Sequence, residues 1–312
     1  MTDPRMNEAI CDITSAFCGR TFGSFMPLVL DVLNNMSKKH DVERETVCVS
    51  FGPLDLFKFL NEIIDLSLHC PCEEVIRSTL GLISKVLFNF QKEYRLLVVE
   101  AEDMEMPIYC SLTNSSMKFM ANLKQFEERI VRLNLISEEA VLKILNHAII
   151  VKNFAQTSML AFGRIENMAK TMISHSFGRI KTLKTFDLQA FVLGCIEQFA
   201  PIFKMLLSNY SKRLWVVIFE HICKTYLLMV ITLSTQYSPK EGKELAARLR
   251  TDKSMINELF AGQINVKELH EQHQSIEALE NCLTKHIEEV VIYLVPLAAA
   301  LGKDFNDNCI VV

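Results

Sequence analysis

Glycine and proline are scarce in this chain, at ten and eight in 312 residues. All-β architectures need a turn every few residues and draw those turns from Gly and Pro, so the scarcity points to long helices with few connections. Clustered positive charge is missing too. No run of Lys or Arg occurs, and 33 basic residues face 37 acidic ones for a net charge of −4. Nucleic acid is therefore excluded as an expected partner, because neutralising phosphates takes a basic patch. The N-terminal MTDPRMNEAICDI has no basic region leading into an apolar core, so no secretory signal is read. There is no G-K-[ST] phosphate loop and no G-x-S-x-G elbow. An aspartate-rich magnesium motif of the prenyl-diphosphate type is absent, Asp304-Phe305-Asn306-Asp307 being the nearest approach. No catalytic residue and no cofactor is expected, and the chain reads as a non-enzyme.

Half the residues are hydrophobic and 22% are charged, ample for a large core. The ten cysteines, at 11, 18, 48, 70, 72, 110, 195, 223, 282 and 309, fall mostly inside apolar helical patterns and read as buried free thiols in a reducing compartment. Two short patterns mimic metal sites. In His270-Glu271-Gln272-His273 the histidines stand three apart, whereas a zinc-binding helix needs four, so a solvated helix face is the better reading. His69-Cys70-Pro71-Cys72 offers one residue between its cysteines and no second pair elsewhere, and reads as the start of a helix.

Taken in order, Asp3-Pro4 caps a first helix reaching about Gly19, and a second follows Ser24 and fades into the polar stretch Ser37 to Glu45. A third starts at Pro53 and buries Leu56, Leu60, Ile63 and Leu66. The fourth has the most regular stripe, Ile76, Leu80, Ile83, Leu87, Phe90, Tyr94 and Leu97. From Glu73 to Glu102 it would be about 45 Å long. The fifth begins at Pro107 and keeps the rhythm through Leu112, Phe119, Leu123, Phe126, Ile130 and Leu133, missing one beat at Ser115-Ser116. Small polar residues there read as a place of close helix approach.

Ser137 caps a sixth helix with Val141, Leu142, Leu145, Ala148 and Ile149 on its buried face, running past Met172 with a kink expected near Gly163 or Gly178. Asp187 opens a seventh, with Leu188, Phe191, Val192, Cys195 and Phe199 inward. Leu214 to Leu233 has the length of a membrane span but is interrupted by Glu220, His221 and Lys224, so it reads as a core helix. Ser238-Pro239-Lys240-Glu241 is a capping box with Pro at the first helical position, starting an amphipathic helix to Phe260. A last pair spans Val266 to about Leu301 and weakens near Pro296. The expected fold is all-α, an elongated rod of stacked antiparallel helical bundles. The expected domains are 1–45, N-terminal helices and a charged linker; 46–185, a first helical bundle; 186–301, a second; and 302–312, a flexible tail.

The chain ends Cys309-Ile310-Val311-Val312, the form of a prenylation box, which makes Cys309 a candidate lipidation site. Val is not among the usual terminal residues, and KDFNDN before it supplies no polybasic second signal.

Three segments together resemble the C-terminal half of the exocyst third-subunit family, a family of helical-rod tethering proteins. They are PLDLFKFLNEIIDLSL (Pro53 to Leu68), PIYCSLTNSSMKFMANL (Pro107 to Leu123) and TYLLMVITLSTQYSPKEGKELAARLRTDKSMINELF, in which Arg250, Asp252, Leu259 and Phe260 fall on a basic-Asp-apolar-Phe pattern. Their order and spacing agree with the family over roughly residues 46 to 300. The resemblance implies two stacked helical bundles and a non-enzymatic role, holding a secretory vesicle at the plasma membrane before fusion. It implies other exocyst-type tethering subunits as partners, with plasma-membrane SNAREs and their regulators beside them, and a cytoplasmic location peripheral to the plasma membrane or secretory vesicles. Family members are much longer and carry an N-terminal half with a coiled coil, so this chain is expected to be a fragment, or a reduced or paralogous member. The prenylation-like tail is not part of the family pattern. It supports a different expectation, a prenyl-anchored helical adaptor at a membrane, outside the exocyst.

Overall fold

The computed structural model describes residues 47–50, 52–69, 73–100, 105–234 and 239–264, with scattered positions between 9 and 31 and between 274 and 281. The described regular elements are all helices, and the principal ones are α1 Gly52–Ser67, α2 Glu73–Glu100, α3 Met106–Arg132, α4 Glu138–Ile144, α5 His147–Phe177, α6 Leu188–Met205, α7 Ser208–Ser234 and α8 Pro239–Phe260. The fold is all-α, as expected. Two compact units are present, Met1–Ile165 and Glu166–Val312, and the division falls within α5. The helices expected before residue 32, the linker 37–45, Cys70 and Cys72, Ser238, the His270/His273 pair, the pair ending near Leu301 and the tail with Cys309 fall wholly or largely outside the described residues.

In the first unit, α1 packs on α2 and α3, and α4 closes against α2 and α3. Helix α3 runs antiparallel to α2 and to α5: Tyr94 and Phe90 of α2 meet residues 112–119 of α3, and Phe154 and Ser158 of α5 meet Phe119 and Thr113 of α3, the Phe154 and Phe119 rings stacking with centroids 3.6 Å apart. The stripe of α2 is buried from Ile76 through Tyr94, but its last beat falls on Val98, and Leu97 is only half-buried. A straight helix drifts by about 20° per heptad against a 3.5-residue repeat, which rotates the seam by one residue over this length. In α1 the 4-3-4 rhythm from Leu56 through Leu60 and Ile63 lands on Ser67, which is buried with Ile64, and leaves Leu66 outward, 51% exposed.

The sixth expected helix is two helices. Ser137 does cap α4, its Oγ accepting from Ala140 N at 3.3 Å. Asn146 then adopts φ 54°, in the left-handed region that Asn tolerates, and ends the run. The break resets the helical register. Ala148 and Ile149, expected inside, are exposed, and Ile150 takes the inward place. At Gly163 α5 is continuous, and a Cβ there would meet nothing within 4 Å. The helix stops at Phe177, just before Gly178.

In the second unit Asp187 caps α6, Oδ1 accepting from Ala190 N at 3.0 Å. Helices α7 and α8 are antiparallel: Phe260, at the end of α8, meets Trp215 and Phe219, near the start of α7, at centroid distances of 5.8 and 5.1 Å. Residues 208–233 are long and apolar enough to cross a membrane. In the fold, only Glu220 and Thr232 are exposed between 214 and 233, while Leu214, Ile218, Ile222, Tyr226 and Val230 are buried. Burying each such side chain contributes about 1.5–3 kcal/mol.

Candidate functional site

Buried polar chemistry in the first unit concentrates in one stretch of α3, where Ser111, Thr113, Asn114, Ser115 and Ser116 are all inaccessible. A polar group in the interior costs stability unless it is hydrogen-bonded, so each should have a partner. Asn114 Nδ2 donates to Cys48 O at 2.7 Å, and Ser115 Oγ accepts from Ser50 N at 2.9 Å. These two bonds strap residues 48–50 across the helix. Ser116 Oγ donates to the Tyr94 hydroxyl at 3.2 Å, and Ser158 Oγ of α5 donates to Thr113 O at 3.2 Å. The missed beat at Ser115-Ser116 therefore serves close helix approach in one direction and holds a strap in the other, a role that local spacing did not reveal. Among the described residues, Thr113 Oγ1 and Asn257 Oδ1 are buried without a partner.

One buried carboxyl lies lower on α3. Glu127 is 5% exposed, and its Oε1 is 2.8 Å from His147 Nδ1. Burial pushes the Glu127 carboxyl above its ordinary range, and the hydrogen bond and charge of His147 only partly offset this. Four described cysteines, 48, 110, 195 and 223, are free and buried. Desolvation lifts Cys195 to about 11 and both Cys110 and Cys223 to about 12, with Cys48 adding to the shift at Cys110. Thiols held this firmly protonated are poor nucleophiles and poor metal ligands. Among the described residues no group of three His, Cys, Asp or Glu side chains could hold a metal ion.

In the second unit the residues of the basic-Asp-apolar-Phe pattern separate into two roles. Asp252 and Phe260 point inward: the buried Tyr226 hydroxyl donates to Asp252 Oδ2, and Phe260 is fully buried. Arg250 is exposed and Leu259 half-buried. Arg248, 3.4 Å from Asp252, donates to the carbonyls of Leu183 and Phe186 and so ties α8 to the loop before α6. Beside it a groove of about 420 Å³ is lined by Leu183, Lys184, Glu241, Glu244, Leu245 and Arg248. A smaller one of about 240 Å³ lies between α1 and α3, over Phe57 and Phe126. Both are open and charge-balanced, with Lys184 paired to Glu241 at 3.0 Å in the first and Arg129 to Asp65 at the edge of the second. Neither brings together an acid, a base and a nucleophile.

Among solved structures, the chain is similar to the C-terminal domain of the exocyst subunit Sec6p, in its crystal structure. The TM-score is 0.74, and the match covers 96% of this chain and 83% of that one at 12% identity. The two share a fold. The likeness read from Pro53–Leu68, Pro107–Leu123 and the stretch up to Phe260 was to the C-terminal half of an exocyst subunit, and the fold agrees with it. No protein-family model and no curated protein matches the chain.

Proposed function

We propose that the chain is a non-enzymatic vesicle-tethering subunit of the exocyst type, acting in exocytosis through protein–protein contacts. The observation that supports this reading is the fold shared with the Sec6p C-terminal domain over nearly the whole chain. Its partners are other exocyst-type subunits, with plasma-membrane SNAREs and their regulators beside them. It works in the cytoplasm, at the periphery of the plasma membrane or of secretory vesicles. The mechanism is geometric: packed helices such as α2, α3 and α5 hold exposed faces at fixed spacing, so several partners can be engaged at once. Affinity purification of the tagged chain from its native cell tests this. Recovery of exocyst-type subunits is expected, and a preparation holding none of them and no SNARE sinks the proposal.

A second reading rests on Cys309-Ile310-Val311-Val312. In it, Cys309 carries a prenyl group and the chain is a membrane-anchored helical adaptor outside the exocyst. A single lipid anchors weakly and reversibly, so part of the protein would stay in the cytosol.

A further inference from the structure

Helices α2 and α5 lie side by side and point the same way. Asn146 Nδ2, at the entry to α5, donates to Ser84 Oγ at 3.2 Å; Asn153 Nδ2 donates to Gln91 Oε1 at 3.2 Å; and Arg164 donates to Val99 O at 3.3 Å. This register sets Ile149 level with Phe88, and Leu160 level with Val99. Ile149, Leu160 and Val99 are 50%, 46% and 45% exposed, and Phe88 is half-buried. The groove between the helices thus has two apolar levels three turns apart, about 16 Å along the axis. Leu96 stands exposed on its outer lip.

Among the described residues of α2 and α5, the charge between and beside those levels is of one sign. Lys92 and Arg95 on α2 and Lys152 on α5 are exposed, and none of them is in an ion pair among the described residues. Helix α5 carries no acidic residue from His147 to Ile165. Glu93 and Glu100 sit about 180° around α2 from Gln91, the side chain that meets α5. A cationic groove with an apolar level at each end, bridged between them by Asn153 and Gln91, is a local feature on a chain of net charge −4, and its charge selects what can lie in it.

We propose that this groove receives an amphipathic helix of another protein, with apolar anchors along one stripe over three turns and acidic residues on both flanks. A helix satisfies its own backbone, which matters because α2 and α5 have their main-chain groups bonded internally and offer none to an extended peptide. Its anchors at i, i+4, i+7 and i+11 span the two levels. Its carboxylates meet Lys92, Arg95 and Lys152, setting orientation and partner choice more than affinity. The inference does not depend on the tethering role, since it uses only the surface of the first unit.

The probe is a fluorescent synthetic helix of about 18 residues with leucines at those four positions and glutamates flanking them, titrated by anisotropy into the intact chain. A counterpart with lysine flanks is the control. Saturable binding of the glutamate helix is expected, with the lysine helix weaker by about tenfold or more. Paired Lys92→Glu and Arg95→Glu changes should weaken the glutamate helix by about tenfold and turn the preference toward the lysine helix, an outcome that an unfolded variant cannot mimic. Paired Val99→Ala and Leu160→Ala changes, both at exposed positions, should weaken the glutamate helix with thermal melting unchanged. The proposal is overturned by no binding up to about 1 mM, by equal binding of the two helices, or by binding indifferent to both pairs of changes. Phosphatidylserine vesicles binding through Lys92 and Arg95 while the glutamate helix does not would overturn it in favour of a membrane surface.

Discussion

Asp252 provides the sharpest test of whether the family-like pattern in α8 is there for packing or for a partner. Its carboxylate accepts from the fully buried Tyr226 hydroxyl and stands 3.4 Å from the Arg248 guanidinium, the two side chains being 13% and 28% exposed. Replacing Asp252 with Ala strands the hydroxyl, at about 1–3 kcal/mol. It also removes an ion pair that solvent partly screens, worth about 0.5–1 kcal/mol. The expected loss is about 2–4 kcal/mol, a large share of a domain's stability of about 5–15 kcal/mol. Tyr226→Phe alone should cost about 1–2 kcal/mol, and in the Asp252→Ala background almost nothing further, giving a coupling of about 1–2 kcal/mol. The chain has one tryptophan, Trp215, which lies in the second unit and stacks on Phe203 at 4.0 Å, so its fluorescence in urea reports that unit. The midpoint for Asp252→Ala should fall by about 1 M or more. Alkali supplies a second signature. Burial, with Asp252 beside it, pushes the Tyr226 hydroxyl above its ordinary pKa, so above about pH 10 the folded state binds more protons than the unfolded state. Stability must then fall as pH rises, and Tyr226→Phe should remove part of that fall. Additive single and double changes, or a midpoint for Asp252→Ala within experimental error of the parent, would refute the packing role and leave Asp252 free for a partner.

Three further outcomes are expected. Because the Glu127 carboxyl is raised, the native state holds its proton more tightly, so this group lowers stability as pH rises from about 4.3 upward; Glu127→Gln should flatten the dependence measured by unfolding between about pH 4 and 6. Asn114→Ala should cost about 1–2 kcal/mol and raise amide exchange at Ser50 well before global unfolding, and protection equal to the parent's would contradict the strap. Under the anchored-adaptor reading, Cys309→Ser should move the protein from membranes to cytosol in fractionated cells, and mass spectrometry showing unmodified Cys309 in the parent would remove that reading.

Helix existence was legible because it is written locally. The stripes of α2 and α3, the Ser137 and Asp187 caps and Pro239 at the start of α8 all act within a turn or two of themselves. The break at Asn146 was not legible. The apolar pattern runs straight through it, and a single left-handed Asn costs so little that no compensating signal marks it, whereas Gly163, the residue type expected to break a helix, sits in an unbroken one. That one residue moved Ile149 from the expected core to the exposed groove. The strap escaped sequence reading for another reason: Asn114 and Cys48 are 66 residues apart, and no local pattern records a bond across that distance. In α8 the pattern named four residues, but only packing distinguishes the inward Asp252 and Phe260 from the exposed Arg250.

The strap has a consequence for how this region tolerates change. Asn114 and Ser115 grip it through the Cys48 carbonyl and the Ser50 amide, groups that nearly every amino acid supplies, while Val47 and Val49 are only half-buried. The clasp is therefore specific on the helix side and, at Val47 and Val49, almost indifferent to composition on the strap side, whereas Ser50 Oγ also accepts from Gly52 N at 3.2 Å. Substitutions at 47 and 49 can accumulate with little penalty, while the two residues on α3 that read only main chain cannot be exchanged without opening it.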